Sequence, residues 1–246
     1  MTTTAPSAEL TARGISRLKL FHFPASRSAR VRWALHETVG DAFEVETVAL
    51  YDGVQYGESY RQMNPNHCVP LLEITCADGG VLHMIESAAM IDWLSDAFPD
   101  KQLSPPAHVG SAARADYLQM LHFGSTWVDM MLWQIRVHEH LLPATERDPR
   151  AVARYRAKFA GEVEPQLLRR LARTPFICGE RFCAADIVVG HDVFWARGYG
   201  LCGDELFRAY VSRLAKRPAF LQAFADVADF RIEPPAESPI VANFTG

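Results

Sequence analysis

No stretch of this sequence is apolar for the roughly 18 to 20 residues that a bilayer crossing needs, so no membrane span is expected. The opening segment, MTTTAPSAELTARGISR, lacks the apolar centre of a secretory signal and reads as a flexible tail over residues 1–17. Basic charge is not in excess: 25 Lys and Arg face 29 Asp and Glu, a formal net charge of -4. A general nucleic-acid surface needs clustered cations to displace counterions, so a nucleic-acid partner is not expected. Cysteine is sparse. Cys68, Cys76, Cys178, Cys183 and Cys202 form no CxxC pair and no metal-like spacing. An odd number of scattered cysteines suits free thiols in a reducing compartment, and the expectation is a cytoplasmic protein without a metal. Internal repeats and low-complexity tracts are absent too.

What the sequence has is a change of pattern near its middle. Leu18 to His22 reads as a short strand that Pro24 ends, with a helix start at Ser26-Arg27-Ser28. Val31, Ala34, Leu35 and Val39 recur at helical spacing up to Gly40. Phe43 to Leu50 alternates as a second strand. Leu71 to Thr75 and Val81 to Met84 flank Ala77-Asp78-Gly79-Gly80, a hairpin signal. Glu86 to Phe98 is helical. The order βαβ, crossover, ββα gives an α/β layer over residues 18–98. Prolines at 99, 105 and 106 mark a linker over 99–107. Strand signals then disappear, and residues 108–246 read as an all-helical domain. Its helices are expected at 111–142, 150–173, 184–196, 204–216 and 219–227, ahead of a Pro-rich end.

Three local motifs carry chemistry. Val69-Pro70 stands directly before a strand, where a residue without an N–H is tolerated. A cis bond there would turn the main chain of Val69 outward. Glu86-Ser87 opens a helix, whose free N–H groups and partial positive charge suit a carboxylate ligand, while Glu can receive an ammonium group. Ser26 and Ser28 sit at another helix start, where a hydroxyl can donate to a thiolate and lower that thiol's pKa. Each motif alone reads first as a strand-opening proline or an N-cap.

Taken in order, LFHFPASRSARVRWALHE, NPNHCVPLLEI and VLHMIESAAMIDWL resemble the cytosolic glutathione transferases, notably their serine-type members of the phi class and related bacterial enzymes. The resemblance runs from Leu18 to about Val227. It implies an α/β thioredoxin-like N-terminal domain followed by an all-α helical C-terminal domain, with glutathione as co-substrate. It further implies that Ser26 is the catalytic serine, with Ser28 as its rival. Val69 would pair with the cysteinyl main chain, Pro70 would be cis, and Glu86 and Ser87 would hold the γ-glutamyl end. His67 and Cys68 fall where the glycyl end is contacted, although Cys68 replaces the usual polar side chain. His22 stands where some members carry Tyr, and Arg27 where others carry Cys, so tyrosine activation and a mixed disulfide are not expected. A homodimer and a role in detoxification are also implied.

The expected reaction is attack of the activated thiol on a small hydrophobic electrophile, in a pocket that includes Phe23, Phe123 and Trp127. Peroxide reduction, dehalogenation, ether cleavage and isomerisation are alternatives on the same site, as is a non-catalytic binding module. Three remaining features have simpler readings. His138-Glu139-His140 places two imidazoles on different helix faces, a poor metal pair. Arg169, Arg170 and Arg173 read as a solvated face. Asp186, within GERFCAAD, reads as a helix-capping residue behind Cys183.

Overall fold

The computed structural model of the chain describes residues 8–108 and 110–230. Two compact units divide it, one of residues 8–102 with 218–230 and the other of residues 103–217.

In the first unit a helical turn α1 (Ala8–Thr11) precedes β1 (Ile15–His22). Residues 8–17 are therefore structured rather than a loose tail, because Leu10 and Ile15 are buried; residues 1–7 lie outside the described residues. Then come α2 (Ser28–Val39), β2 (Glu44–Thr47), α3 (Glu58–Met63), β3 (Leu71–Cys76), β4 (Val81–Met84) and α4 (Ser87–Ala97). The strands form one sheet in the order β2-β1-β3-β4, with β1 parallel to β2 and antiparallel to β3. β2 is shorter than its alternating sequence predicts. All four of its residues are exposed at the edge, where Glu44 and Glu46 pair with Arg17 and Lys19 of β1. The hairpin turn forms as the sequence predicts, with the Gly80 N–H donating to Asp78 Oδ1 at 2.9 Å and Gly79 at φ 88°.

Leu18, Leu20, Leu71 and Leu72 are buried in the sheet, and Trp33 and Leu35 of α2 and Met90 and Leu94 of α4 are buried with them. The sequence pattern groups residues 218–230 with the later helices. Instead α11 (Pro218–Ala223) lies on α2, where Phe220 meets the Trp33 ring edge-on at 5.0 Å. The helix expected over 219–227 thus stops at Ala223, and the Pro-rich end lies outside the described residues.

The second unit is helical: α5 (Ala112–His122), α6 (Asp129–Arg136), α7 (Pro149–Lys158), α8 (Glu164–Leu171), α9 (Ala184–Gly198) and α10 (Glu205–Leu214). π-helical turns at Phe123–Val128 and Phe159–Val163 join α5 to α6 and α7 to α8, so two long periodic stretches run nearly unbroken. Gly124 lies in the first of these turns because α9 comes so close. A Cβ there would stand 2.9 Å from Val188 Cγ1.

Asp186 caps α9 as its sequence suggests. Its carboxyl accepts from the Cys183 N–H at 2.9 Å, the Ile177 N–H at 2.8 Å and the Tyr210 hydroxyl at 2.7 Å. Full burial pushes its pKa up, and these three donors pull against that. Asp186→Ala should cost about 3 kcal/mol or more, because it strands buried donors as well as losing a cap. Urea unfolding followed by circular dichroism measures this, and Tyr210→Phe should lose only about 1 kcal/mol.

Candidate functional site

Strand register decides which loops meet. Phe21, next to the end of β1, pairs with Leu71 at the start of β3, and Leu72 pairs with Met84 at the end of β4. The segments 23–27, 67–70 and 85–87 therefore leave the sheet at one edge. Phe23 and Ile85 both pack on the cluster of Phe21, Val48, Tyr60, Val69 and Leu71. Arg27 and Glu86 both act electrostatically on Cys68, which brings the three segments together a second way.

Strained backbone gathers here. Ala25, His67 and Glu86, at φ 52°, 41° and 71°, are three of the five non-glycine residues at positive φ among the described residues. Each such conformation costs on the order of 1 kcal/mol and is held only by its surroundings.

The Val69–Pro70 bond is cis. Among the described residues the Val69 main chain makes no hydrogen bond, whereas the Cys68 carbonyl accepts from the Tyr60 hydroxyl at 2.8 Å and Asn64 Nδ2 at 2.7 Å. Desolvation, helped by Glu86, moves the surface thiol of Cys68 upward in pKa. It is a thiol at neutral pH and no rival nucleophile. His67 leans on Tyr56, ring centroids 5.1 Å apart. Ser87 is the first residue of α4 and is buried, and Glu86 precedes it, exposed. Phe23 is half-buried and meets Tyr51 edge-on at 5.3 Å.

Both serines stand where β1 turns into α2, and they are bonded to each other. Ser26 Oγ and Ser28 Oγ are 2.8 Å apart, and Ser26 Oγ also reaches the Phe23 carbonyl at 2.7 Å. Ser26 is half-buried. Ser28 is fully buried and continues inward: its Oγ lies 2.7 Å from His22 Nδ1, and His22 Nε2 lies 2.9 Å from Asp226 Oδ2. The same carboxylate oxygen accepts from Arg32 at 2.6 Å. Burial holds His22 below the ordinary imidazole pKa of 6.5, against the pull of Asp226 and with a smaller push from Arg32. The ring is therefore neutral at pH 7. A carboxylate only accepts, so the hydrogen sits on Nε2, and Nδ1 accepts from the Ser28 hydroxyl. The single hydrogen of Ser28 is thus committed inward and its oxygen accepts from the Phe23 N–H at 3.1 Å, while the Ser26 hydroxyl has two acceptors within reach, the Phe23 carbonyl and Ser28.

His22 and Asp226 were not singled out as site residues by the sequence. A histidine closing an apolar strand is a faint signal, and nothing local points to Asp226, 204 positions away.

In the helical unit, Phe123 and Trp127 line a shallow cavity of about 740 Å³ with His122, Glu162 and Arg169, and Lys158 Nζ lies 4.8 Å over the Trp127 ring. His138, Glu139 and His140 each have partners elsewhere, with a 3.6 Å contact between Glu139 and His140. His138 accepts from the Asp148 N–H at 3.2 Å, Glu139 pairs with Arg156 at 2.7 Å and His140 stacks on Tyr199. Arg170 is not merely solvated, because it grips Asp116 with two bonds of 2.7 and 2.9 Å.

A thioredoxin-like sheet with a cis proline, a serine-bearing helix start and a separate helical unit is the architecture that the sequence resemblance implies. Comparison with known proteins agrees. Residues 20–102 match the glutathione S-transferase N-terminal domain. Over 213 residues the chain is 27% identical to glutathione S-transferase GstA of Escherichia coli O157:H7, covering 85% of this chain and 98% of that one. It superposes on a glutathione transferase from Methylococcus capsulatus with a TM-score of 0.72 and 25% identity, covering 87% of this chain and 100% of the other. A sphingomonad glutathione S-transferase complexed with glutathione gives 0.67 and 27%, covering 85% and 98%. The chain is thus similar to the glutathione S-transferase N-terminal domain over residues 20–102, and to whole glutathione S-transferases over most of its length. Among the described residues, no helix is long and apolar enough to cross a membrane.

His22 also predicts a pH dependence of stability. The unfolded chain binds its proton near pH 6.5, and the folded protein only at lower pH. Between those values the unfolded state holds more protons, so stability falls as pH drops below about 6.5, by at most ~1.4 kcal/mol per pH unit for this group. His36 and His140 are shifted the same way. Unfolding midpoints between pH 7.5 and 5.5 should decline, and His22→Gln should flatten part of that slope.

Proposed function

We propose that the protein binds glutathione at this edge of the sheet, ionises its thiol and transfers it to a small apolar electrophile. The reading is serine-type. Ser26 donates to the thiolate, helped by the positive end of the α2 dipole. The observation that carries it is the contrast between the two serines: Ser26 is partly open, while Ser28 is buried and has committed its hydrogen to His22. Val69 offers its main chain to the cysteinyl unit beside Pro70. Ser87 and the start of α4 receive the γ-glutamyl carboxylate, and Glu86 receives the amine. His67 and Cys68 flank the glycyl end. Phe23, Phe123 and Trp127 are proposed to contribute to the electrophile's apolar surroundings. A cytoplasmic homodimer with a detoxifying role fits this reading, and analytical ultracentrifugation tests the dimer.

The protein's contribution to rate is then thiolate stabilisation and orientation. Lowering the thiol pKa by one to two units corresponds to roughly 1.4 to 2.8 kcal/mol. Ser26→Ala should raise the pKa of bound glutathione by about that much, read from thiolate absorbance in the ultraviolet. An unchanged pKa would take the role away from Ser26. Ser87→Ala should weaken glutathione binding by calorimetry about ten- to a hundredfold, the worth of one hydrogen bond to a charged group, without moving the thiol pKa.

Turnover with aryl halides and with organic peroxides separates thiol transfer from peroxide reduction.

A further inference from the structure

Four groups form an unbroken chain from the partly open edge of the sheet to its interior: Ser26 Oγ, Ser28 Oγ, the His22 ring and Asp226. The successive distances are 2.8, 2.7 and 2.9 Å. All four lie in the first compact unit. We propose that this chain is a proton relay, and that the proton lost by the bound thiol is taken up by His22. The proposal rests on the transferase reading above.

The bonding capacity of each hydroxyl supports both ends of such a transfer. Before it, the thiol S–H donates to Ser26 Oγ, Ser26 donates to Ser28, and Ser28 donates to Nδ1. Ser28 then accepts from Ser26 and the Phe23 N–H, and Ser26 accepts from the thiol and the Ser28 N–H at 3.3 Å. This arrangement requires the Ser26 hydrogen to turn from the Phe23 carbonyl, 2.7 Å from Ser26 Oγ, to Ser28; each hydroxyl then donates once and accepts twice. The transfer breaks the S–H bond and the two O–H bonds, and forms an O–H bond on each serine and an N–H bond on Nδ1. Charge balances, since a neutral thiol and a neutral imidazole become a thiolate and an imidazolium. Afterwards every bond runs outward: Nδ1–H to Ser28, Ser28 to Ser26 and Ser26 to the thiolate. Each hydroxyl again donates once and accepts twice. Only the Ser26 hydroxyl hydrogen turns, away from the Phe23 carbonyl, and the arrangement that receives the proton is the one in which Ser26 donates to sulfur.

Asp226 performs two tasks in this scheme. It keeps the hydrogen on Nε2, which leaves Nδ1 free to accept, and it faces the imidazolium that forms. The charged groups acting on His22 are Asp226, on the segment after α11, and Arg32, on α2; the serines bring only hydroxyls. Arg32 works against a second positive charge, but it is itself paired to the same carboxylate oxygen. The thiolate supplies a new negative charge at the far end. Thiol and imidazole therefore titrate as a coupled pair. His22 does not touch the reacting sulfur and is a positioning residue acting through the serines.

The test uses the full-length wild-type protein at pH 7, with ¹⁵N-labelled histidine. Glutathione is added, and four quantities are read: binding by calorimetry, thiolate by ultraviolet absorbance, the protonation state of His22 by imidazole ¹⁵N shifts, and protons released into buffers of different ionisation enthalpy. The relay predicts that the thiolate appears, His22 becomes an imidazolium, and far less than one proton per thiolate reaches the buffer. S-methylglutathione, which has no thiol proton, should bind and leave His22 neutral. Asp226→Asn, checked for folding by circular dichroism, should reduce the thiolate fraction while glutathione still binds. A thiolate that forms while His22 stays neutral and about one proton enters the buffer would overturn the relay and leave the transferase reading standing. Bound glutathione that keeps its thiol proton would also overturn it. Absence of binding would remove the transferase reading itself, and the relay with it.

Discussion

β1 is paired along both edges, so its last residue, His22, ends inside the unit where a polar ring has no water to meet. A buried imidazole needs partners on both nitrogens. Here one comes from the first turn of α2, as the Ser28 hydroxyl, and the other from the segment after α11, as Asp226. These bonds tie the sheet, the helix that starts the site and a stretch of chain some two hundred residues later into one arrangement. The exposed half of that arrangement is Ser26. Its position at the edge follows from the inward bonding of its neighbour.

The other constraint is register. An antiparallel β1–β3–β4 set brings the end of β1, the start of β3 and the end of β4 to the same side. Three short segments far apart in sequence become one surface through strand pairing. Their backbones carry the cost, in the positive φ of Ala25, His67 and Glu86. Local conformations of that kind persist when packing dictates them. The Phe21, Tyr60, Val69 and Leu71 cluster, with Phe23 and Ile85 against it, supplies that packing.

How much of this the sequence reveals follows from the range of each interaction. The strand order, the hairpin at Asp78-Gly79-Gly80, the long helices and the cap at Asp186 are written in patterns of a few residues, and they appear in the structure as they read. Val69-Pro70 stands directly before β3, Glu86-Ser87 at the start of α4 and Ser26 just before α2, where their local patterns put them. β2 is shorter than its alternation suggests, since an edge strand with only one neighbour pairs only where β1 is still alongside. Placing α11 on α2 depends on Phe220 meeting Trp33, a contact no periodicity encodes. The pairing of His22 with Asp226 is harder still. Only the folded chain separates the roles of Ser26 and Ser28, through a partner that neither residue's neighbourhood in sequence contains.

The central claim is that the outer serine, and not the inner one, meets the sulfur of glutathione at this edge. A crystal structure of the full chain with glutathione tests it most directly. The account predicts the sulfur within hydrogen-bonding distance of Ser26 Oγ, the cysteinyl main chain paired with Val69, the γ-glutamyl group at Glu86 and Ser87, and Ser28 still bonded to His22. A sulfur bound to Ser28 with the His22 contact broken, or glutathione lodged away from Val69 and Ser87, would contradict it.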